Sequence, residues 1–216
     1  MADSKSPTWY KILLALSVYL ALFLVFVGES YLIRMVEAED RMNRDFYSDP
    51  VAEQAKARGD AWFTKAFIDT GLMMHTFDMF IPTADEVRRS EEAGLDASFG
   101  QGIFAWWEGR LRAWWTLVWS TFTRISSVML WLPYVALILV PFVVDGWAQR
   151  ERRKHTFEFS SPVKQRYAMM AIATIPLVFI AVATAPIAMH PGVTPGVLFA
   201  IGLMLQTSIA NFMKRA

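Results

Sequence analysis

The 216-residue chain contains no cysteine. Disulfide bonds, thiolate zinc sites, iron–sulfur clusters and cysteine nucleophiles are therefore excluded. Only three histidines are present, His75, His155 and His190, and no two of them are spaced to share a helix face. A metal site needs several such ligands to converge, and the apolar runs hold no histidine that would bind a haem. We therefore predict neither a metal nor a cofactor.

The sequence also has little charge and almost no charge imbalance. Asp, Glu, Lys and Arg make up 19% of the residues, apolar residues make up 55%, and the formal net charge is +1. A nucleic-acid-binding protein would carry a concentrated basic face. We therefore expect no direct contact with nucleic acid. The sequence also lacks a glycine-rich phosphate-binding loop.

The strongest feature of the sequence is a set of four runs without a charged residue. They contain 17, 20, 22 and 21 residues and cover 12–28, 125–144, 168–189 and 193–213. About 20 apolar residues in a helix match the roughly 30 Å hydrocarbon core of a bilayer. The runs predict an all-α polytopic membrane protein with four transmembrane helices, the fourth placed at 197–213.

The first run has a second interpretation, a cleaved signal peptide. Lys5 and Lys11 would form its basic region, and Val36-Glu37-Ala38 would be a weak cleavage site. However, the run is longer than the apolar part of most signal peptides, and Arg34 separates it from that site. We therefore predict an uncleaved anchor; cleavage would leave three spans.

Charges near the span ends set the predicted orientation. Basic residues dominate the N-terminal tail, the second connection and the C-terminal end, whereas the first connection holds sixteen acidic and eleven basic residues. The positive-inside rule then predicts that both termini lie in the cytoplasm and that the long acidic segment lies outside. The predicted segments are a cytoplasmic tail 1–11, a periplasmic helical segment 29–124, a basic cytoplasmic loop 145–167, a periplasmic turn 190–196 and a cytoplasmic end 214–216.

The periplasmic segment contains a tryptophan-rich helix at 103–122, with the sequence IFAWWEGRLRAWWTLVWSTF. Its large apolar residues recur every three or four positions and share one helix face. Tryptophan is enriched at membrane–water boundaries, so an interfacial helix is one interpretation. A partner-binding face is the other, because exposed Trp and Arg anchor many interfaces. The candidate contacts in this helix are Trp107, Trp114 and Trp115.

The cytoplasmic loop opens at the end of the second span with an acidic residue, a glycine and a basic helical turn. Basic residues just inside a span attract anionic lipid, by about 1 kcal/mol each. The same residues are suited to dock on an acidic face of a cytoplasmic protein. The candidate contacts for lipid or a partner are Asp145, Gly146, Arg150, Arg152, Arg153 and Lys154.

The stretch 131–166 resembles a known family. It contains Val144-Asp145-Gly146, Arg150-x-Arg152 and Phe157-Glu158-Phe159-Ser160-Ser161 in that order. This order is similar to uncharacterised inner-membrane proteins encoded by integrating conjugative elements and conjugative plasmids. The resemblance implies a place in a conjugative type IV secretion system, near the coupling ATPase and the inner-membrane channel, and implies no catalytic activity. Members often carry an aromatic–His pair where this chain has Lys164-Gln165, so no role transfers to that pair.

We therefore expect a non-enzymatic inner-membrane accessory subunit of a DNA-transfer apparatus. Its expected partners are other secretion-system membrane proteins, the coupling ATPase and anionic lipid, with self-association left open. One alternative is a small membrane enzyme acting on lipid or cell wall, for which His75, Asp78 and Glu108 are the only acid–base candidates. The other alternative is an oligomeric channel or an immunity-type membrane protein.

Overall fold

A computed structural model describes residues 26–82, 85, 88–89, 97–156 and 160–212. The predicted tail 1–11, almost all of the predicted first span 12–28 and the end 214–216 lie outside the described residues. All regular elements in the described part of the chain are helices. This result confirms the all-α class.

The described residues form seven α-helices and one short π-helix. The α-helices are α1 (Glu29–Tyr47), α2 (Asp49–Phe63), α3 (Leu72–Phe80), α4 (Ala97–Met129), α5 (Leu132–His155), α6 (Pro162–Thr184) and α7 (Val193–Ala210), and the π-helix is Thr64–Ile68. Ser48 separates α1 from α2 with a φ of 74°, and Pro50 lies in the first turn of α2, where its missing N–H group costs no hydrogen bond. Gly71 precedes α3 with a φ of 71°, a conformation that glycine adopts without a steric penalty.

Three of the helices are long and apolar enough to cross a membrane: Leu132–Arg153, Pro162–Thr184 and Val193–Ala210. Large apolar side chains on them are exposed, including Leu137 at 73% and Leu177 at 65%. A continuous apolar surface of this kind is suited to lipid rather than water. Three of the four predicted spans therefore correspond to helices of sufficient length and hydropathy.

The helix boundaries differ from the predicted spans. The predicted second span, 125–144, is divided between α4, which ends at Met129, and α5, which begins at Leu132. Pro133 lies in the first turn of α5, where its missing N–H group costs no hydrogen bond. A run of apolar residues does not reveal such a break, because both helices contribute apolar residues to it. At its other end α5 continues to His155, so the predicted cytoplasmic loop 145–167 begins as helix.

The chain divides into two compact units. One combines Met1–Glu37 with Ala61–Ser120, and the other combines Ala38–Asp60 with Thr121–Ala216. The first unit has a core in which α1 packs against α4. Its buried members are Leu32, Met35, Ala113 and Leu117.

The second unit contains the three candidate spans. In it α7 packs against both α5 and α6. The rings of Phe142 and Phe199 meet edge to face with centroids 5.0 Å apart. Gly59 in α2 lies so close to α4 that an added Cβ would be 2.7 Å from the Cα of Thr123. The glycine therefore allows α2 to pack against the last turns of α4.

Candidate functional site

The basic end of α5, predicted as a contact site, is anchored to α7 through Asp145. The carboxylate of Asp145 accepts hydrogen bonds from the side-chain amides of Gln149, at 2.8 Å, and Gln206. Arg152 lies 3.8 Å from the other carboxylate oxygen of Asp145. Asp145 therefore holds one of the predicted arginines while it fixes α5 against α7.

Gly146 allows α5 and α7 to approach each other closely. A Cβ at this position would be 2.8 Å from the carbonyl oxygen of Gln206 and 3.0 Å from its Cα. Any larger residue would therefore push the two helices apart. Asp145 and Gly146 therefore both contribute to the packing of α5 against α7.

Arg153 also makes intramolecular contacts. Its guanidinium donates to the carbonyl of Ala210, at 3.0 Å, and to the side-chain oxygen of Asn211, at 3.0 Å. The same Asn211 oxygen accepts a hydrogen bond from the backbone N–H of Ser161, at 3.2 Å. Arg153 thus binds a carbonyl that the end of α7 leaves without a helical partner, and a cation there is favoured by the helix dipole.

The remaining basic side chains differ in exposure, and Arg150 is half-buried. The Arg152 side chain is 71% exposed, and Arg150 lies 5.3 Å from the ring centroid of the exposed Phe212. The nearby Trp147 is 61% exposed. We call Arg150, Arg152 and Trp147 the basic end surface. The backbone of Lys154 lies within α5, and its side chain lies outside the described part of the molecule.

The tryptophan-rich stretch of α4 lies in the first unit, where its predicted contacts have unequal environments. Trp115 is buried; its indole N–H donates to the hydroxyl of Thr76, at 3.0 Å, and its ring packs against Phe63 and Phe67. Trp114 packs on the core of this unit. Trp115 is therefore a core residue, which its sequence pattern did not distinguish from its neighbours.

Trp107 has a more open environment. Its ring stacks on that of Trp106, with centroids 5.7 Å apart, and meets Phe80 edge to face at 6.0 Å. The guanidinium of Arg110 lies 5.1 Å from the Trp106 ring centroid and donates to the carbonyl of Val27, at 2.6 Å. This aromatic part of α4 is held against the residues at the end of the predicted first span.

A buried ion pair between Arg124 and Glu39 was not identified from the sequence. Two distances define it: Arg124 Nε lies 2.9 Å and Nη2 lies 2.8 Å from Glu39 Oε1. The side chains are only 4% and 9% exposed. The sequence signal for a functional charge here is the position of Arg124, directly before the charge-free run 125–144. Its partner lies 85 positions away in the chain, so no local pattern links the two.

The same arginine binds the connection between α6 and α7. Its Nη1 donates to the carbonyls of Ala183 and Ala185, and its Nη2 to that of Ile187, each at 2.8 Å. A guanidinium has five N–H donors in a fixed plane, and here the carboxylate and three carbonyls accept from them. Arg124 thus satisfies carbonyls at and beyond the last turn of α6.

Glu39 completes this cluster from α1. Its Oε1 also accepts the backbone N–H of Met189, at 2.7 Å. Burial raises the pKa of the Glu39 carboxyl above its ordinary value, while the Arg124 charge and the Met189 N–H act in the opposite direction. The cluster therefore fixes α1, α4 and residues 183–189 relative to one another. A buried pair of this kind specifies geometry more than it adds stability.

The acid–base candidates of the enzyme alternative lie in the first unit. Glu108 forms an ion pair with Arg112 on the same helix. His75 and Asp78 are exposed on α3. Within the described ranges, no group of three or more His, Asp or Glu side chains is placed to hold a metal ion.

Comparison with known proteins gave one family. The model of the DtrJ-like family, described as "IncC plasmid conjugative DNA transfer protein DtrJ-like", matches residues 23–214. The match confirms the resemblance to a family of conjugative elements. No curated protein matches the chain. No solved structure matches it either.

Proposed function

The chain belongs to the DtrJ-like family of conjugative DNA transfer proteins, and on that premise we propose that it is a non-enzymatic inner-membrane subunit of a type IV secretion apparatus. In this role it packs among other membrane components and presents the basic end surface to a cytoplasmic partner. The three apolar helices α5, α6 and α7 support the membrane placement.

The docking role is supported by a difference in contacts among the charged residues at the end of α5. Arg153 and Asp145 are engaged by α7, so they hold the end of α5 in place. Arg152 and Trp147 are exposed, and Arg150 is half-buried against the ring of Phe212. Arginine and tryptophan on a rigid helix end are the residue types that anchor interfaces.

The charge of this surface indicates the chemistry of its partner. The exposed Arg152 and the half-buried Arg150 place two positive charges at the end of a span. Such charges attract acidic surfaces, and charge complementarity gives the contact specificity. By the positive-inside rule this end of α5 is cytoplasmic, as is the connection to α6. We assign it an acidic face of the coupling ATPase as its partner, with anionic lipid headgroups around it.

A charge-reversal experiment tests this function. The double variant Arg150→Glu with Arg152→Glu is compared with Arg150→Lys and Arg152→Lys, which keeps the charges. We expect reversal to lower the DNA-transfer frequency, and the coupling ATPase recovered with the tagged chain, by about tenfold or more, since reversing interface charges costs more than 1.4 kcal/mol. The lysine variant should retain most of both.

Membrane fractionation and reporter fusions at each terminus accompany these measurements. Reversal that leaves transfer and copurification unchanged, with normal insertion, would show that this surface docks nothing. Unchanged transfer after deletion of the whole chain would remove the conjugative role itself.

A further inference from the structure

An aromatic cavity lies at the start of α5 in the second unit. It has a volume of about 380 Å³, within the roughly 300–1,000 Å³ typical of small-ligand sites. Three segments build it: the end of α1, the start of α2 and the α4–α5 junction. The lining residues are Phe46, Tyr47, Val51, Leu130, Trp131 and Tyr134.

Trp131 organises the rings of this cavity. Its centroid lies 6.4 Å from that of Phe46, 6.5 Å from that of Tyr47 and 6.0 Å from that of Tyr134. Its indole N–H donates to the hydroxyl of Tyr47, at 2.7 Å, which fixes both rings. The face of an aromatic ring has a negative electrostatic potential, and several rings around one cavity form a site for an ammonium group.

The charges around the cavity also favour a cation. No lining residue is charged, so the walls offer a phosphate no basic partner. Asp45, directly before the lining residue Phe46, and Asp49, two residues after Tyr47, are exposed. The neighbouring Arg44 lies within 4.0 Å of the carboxylates of Asp40, Asp49 and Glu53, which offset its charge.

The position of the cavity indicates where such a cation comes from. The candidate span Leu132–Arg153 begins directly after Trp131. The lining residue Tyr134 is 53% exposed, and further along α5 Leu137 and Val140 are 73% and 55% exposed. A lipid whose acyl chains lie along this part of α5 has its headgroup at the level of the cavity.

We infer that this cavity binds the ammonium headgroup of a zwitterionic phospholipid, held among the rings of Phe46, Tyr47, Trp131 and Tyr134. The inference rests on the membrane placement of the proposed function and is independent of the docking partner. Cation–π contact selects ammonium headgroups over the uncharged glycerol headgroup of an anionic lipid.

Lipid retention measures this selectivity. The full chain is reconstituted into nanodiscs with equal amounts of phosphatidylethanolamine and phosphatidylglycerol, released, and analysed by native mass spectrometry. We expect phosphatidylethanolamine to be retained about threefold to tenfold over phosphatidylglycerol, the range that one or two desolvated cation–π contacts supply.

Variants of the exposed lining residue Tyr134 test whether an aromatic ring binds the ammonium group. Tyr134→Phe keeps the aromatic face and should keep the preference, whereas Tyr134→Leu keeps apolar bulk and should abolish it. Tyr167→Leu, at an exposed tyrosine near the start of α6, is the matched control and should change nothing. Circular dichroism verifies the helical content of each variant.

Several outcomes would overturn the inference. Equal retention of both lipids, or equal loss in Tyr134→Phe and Tyr134→Leu, would show that ring faces do not select the headgroup. A chain that enters bilayers but shows no preference overturns this inference alone. A chain that fails to enter bilayers overturns the membrane placement as well.

Discussion

The guanidinium of Arg124 lies 2.8 Å from the carboxylate of Glu39, and both side chains are almost fully buried. Through this pair α1 and α4 hold the extended residues between α6 and α7, because Arg124 binds carbonyls there and Glu39 binds the N–H of Met189. Two buried charged side chains thus bind the connection between two candidate spans.

Removal of the arginine should destabilise the fold strongly. Arg124→Met leaves the Glu39 carboxylate buried without its partner and strips three carbonyls of a donor, so we expect a loss of about 3–5 kcal/mol in the free energy of unfolding. Denaturation in detergent, followed by helical circular dichroism, measures it. The control Arg112→Met, at a side chain 54% exposed on the same helix, should change stability by less than about 0.5 kcal/mol. Similar losses in both variants would contradict a special role for the buried pair.

Glu39 should make stability depend on pH in an unusual direction. Burial raises its pKa above 4.5, so the folded state holds the proton more tightly than the unfolded state does. The free energy of unfolding contributed by this group therefore falls as pH rises from about 4.5 through the raised folded-state pKa. Unfolding measured across this window should show the fall in the wild type and lose it in Glu39→Gln.

The exposed Glu37 supplies the control for that pH dependence. Glu37→Gln, two residues away on α1, should keep the wild-type slope. If the Glu39→Gln variant lost stability with rising pH as steeply as the wild type, another group would be responsible.

Gly146 should tolerate no side chain. In Gly146→Ala the new Cβ meets the backbone of Gln206 in α7, and we expect a loss of about 1–3 kcal/mol from the forced separation of α5 and α7. Gly109→Ala, also inside a helix but with no atom within 4 Å of the new Cβ, should instead gain about 0.5–1 kcal/mol. Thermal unfolding of the two variants in one detergent compares them; a gain in both would show that α5 and α7 do not approach closely at Gly146.

Substitution of Trp115 should reduce stability more than substitution of Trp106, although both belong to the tryptophan-rich stretch. Trp115→Phe loses the hydrogen bond to Thr76 and shrinks a buried ring, and the expected cost is about 1–3 kcal/mol. Trp106→Phe, at a side chain 42% exposed, should cost less than about 0.5 kcal/mol. Circular dichroism melts distinguish them, and the reverse order would place Trp106 rather than Trp115 in the core.

Much of the fold could be predicted because its signals are local. The helical spacing at 103–122 and the charge-free runs 168–189 and 193–213 are properties of neighbouring residues, and α4, α6 and α7 lie over most of these positions. The division of 125–144 between α4 and α5 could not be predicted in the same way. Apolar residues continue across the junction, although Ser126 is packed within the protein and Leu132 faces outward.

The same difference between local and long-range signals applies to the site residues. The motif at Asp145-Gly146 is visible in the sequence, but whether its charges face a partner or another helix depends on α7, which begins nearly fifty positions later. In the structure Asp145 and Arg153 form hydrogen bonds with residues of α7, and the side chain of Arg152 is exposed.

By itself, the sequence determined the helical class, the apolar helices and the resemblance to a family of conjugative elements, because hydropathy, helical period and short motifs are read along the chain. The tertiary structure alone decided which charges are buried. Arg124 and Glu39 are ordinary charged residues in the sequence, and they become a buried pair only because α1 and α4 bring them together across 85 positions. The electrostatic energy of a charge depends on the polarity of its surroundings and on its nearest partners, and the fold sets both.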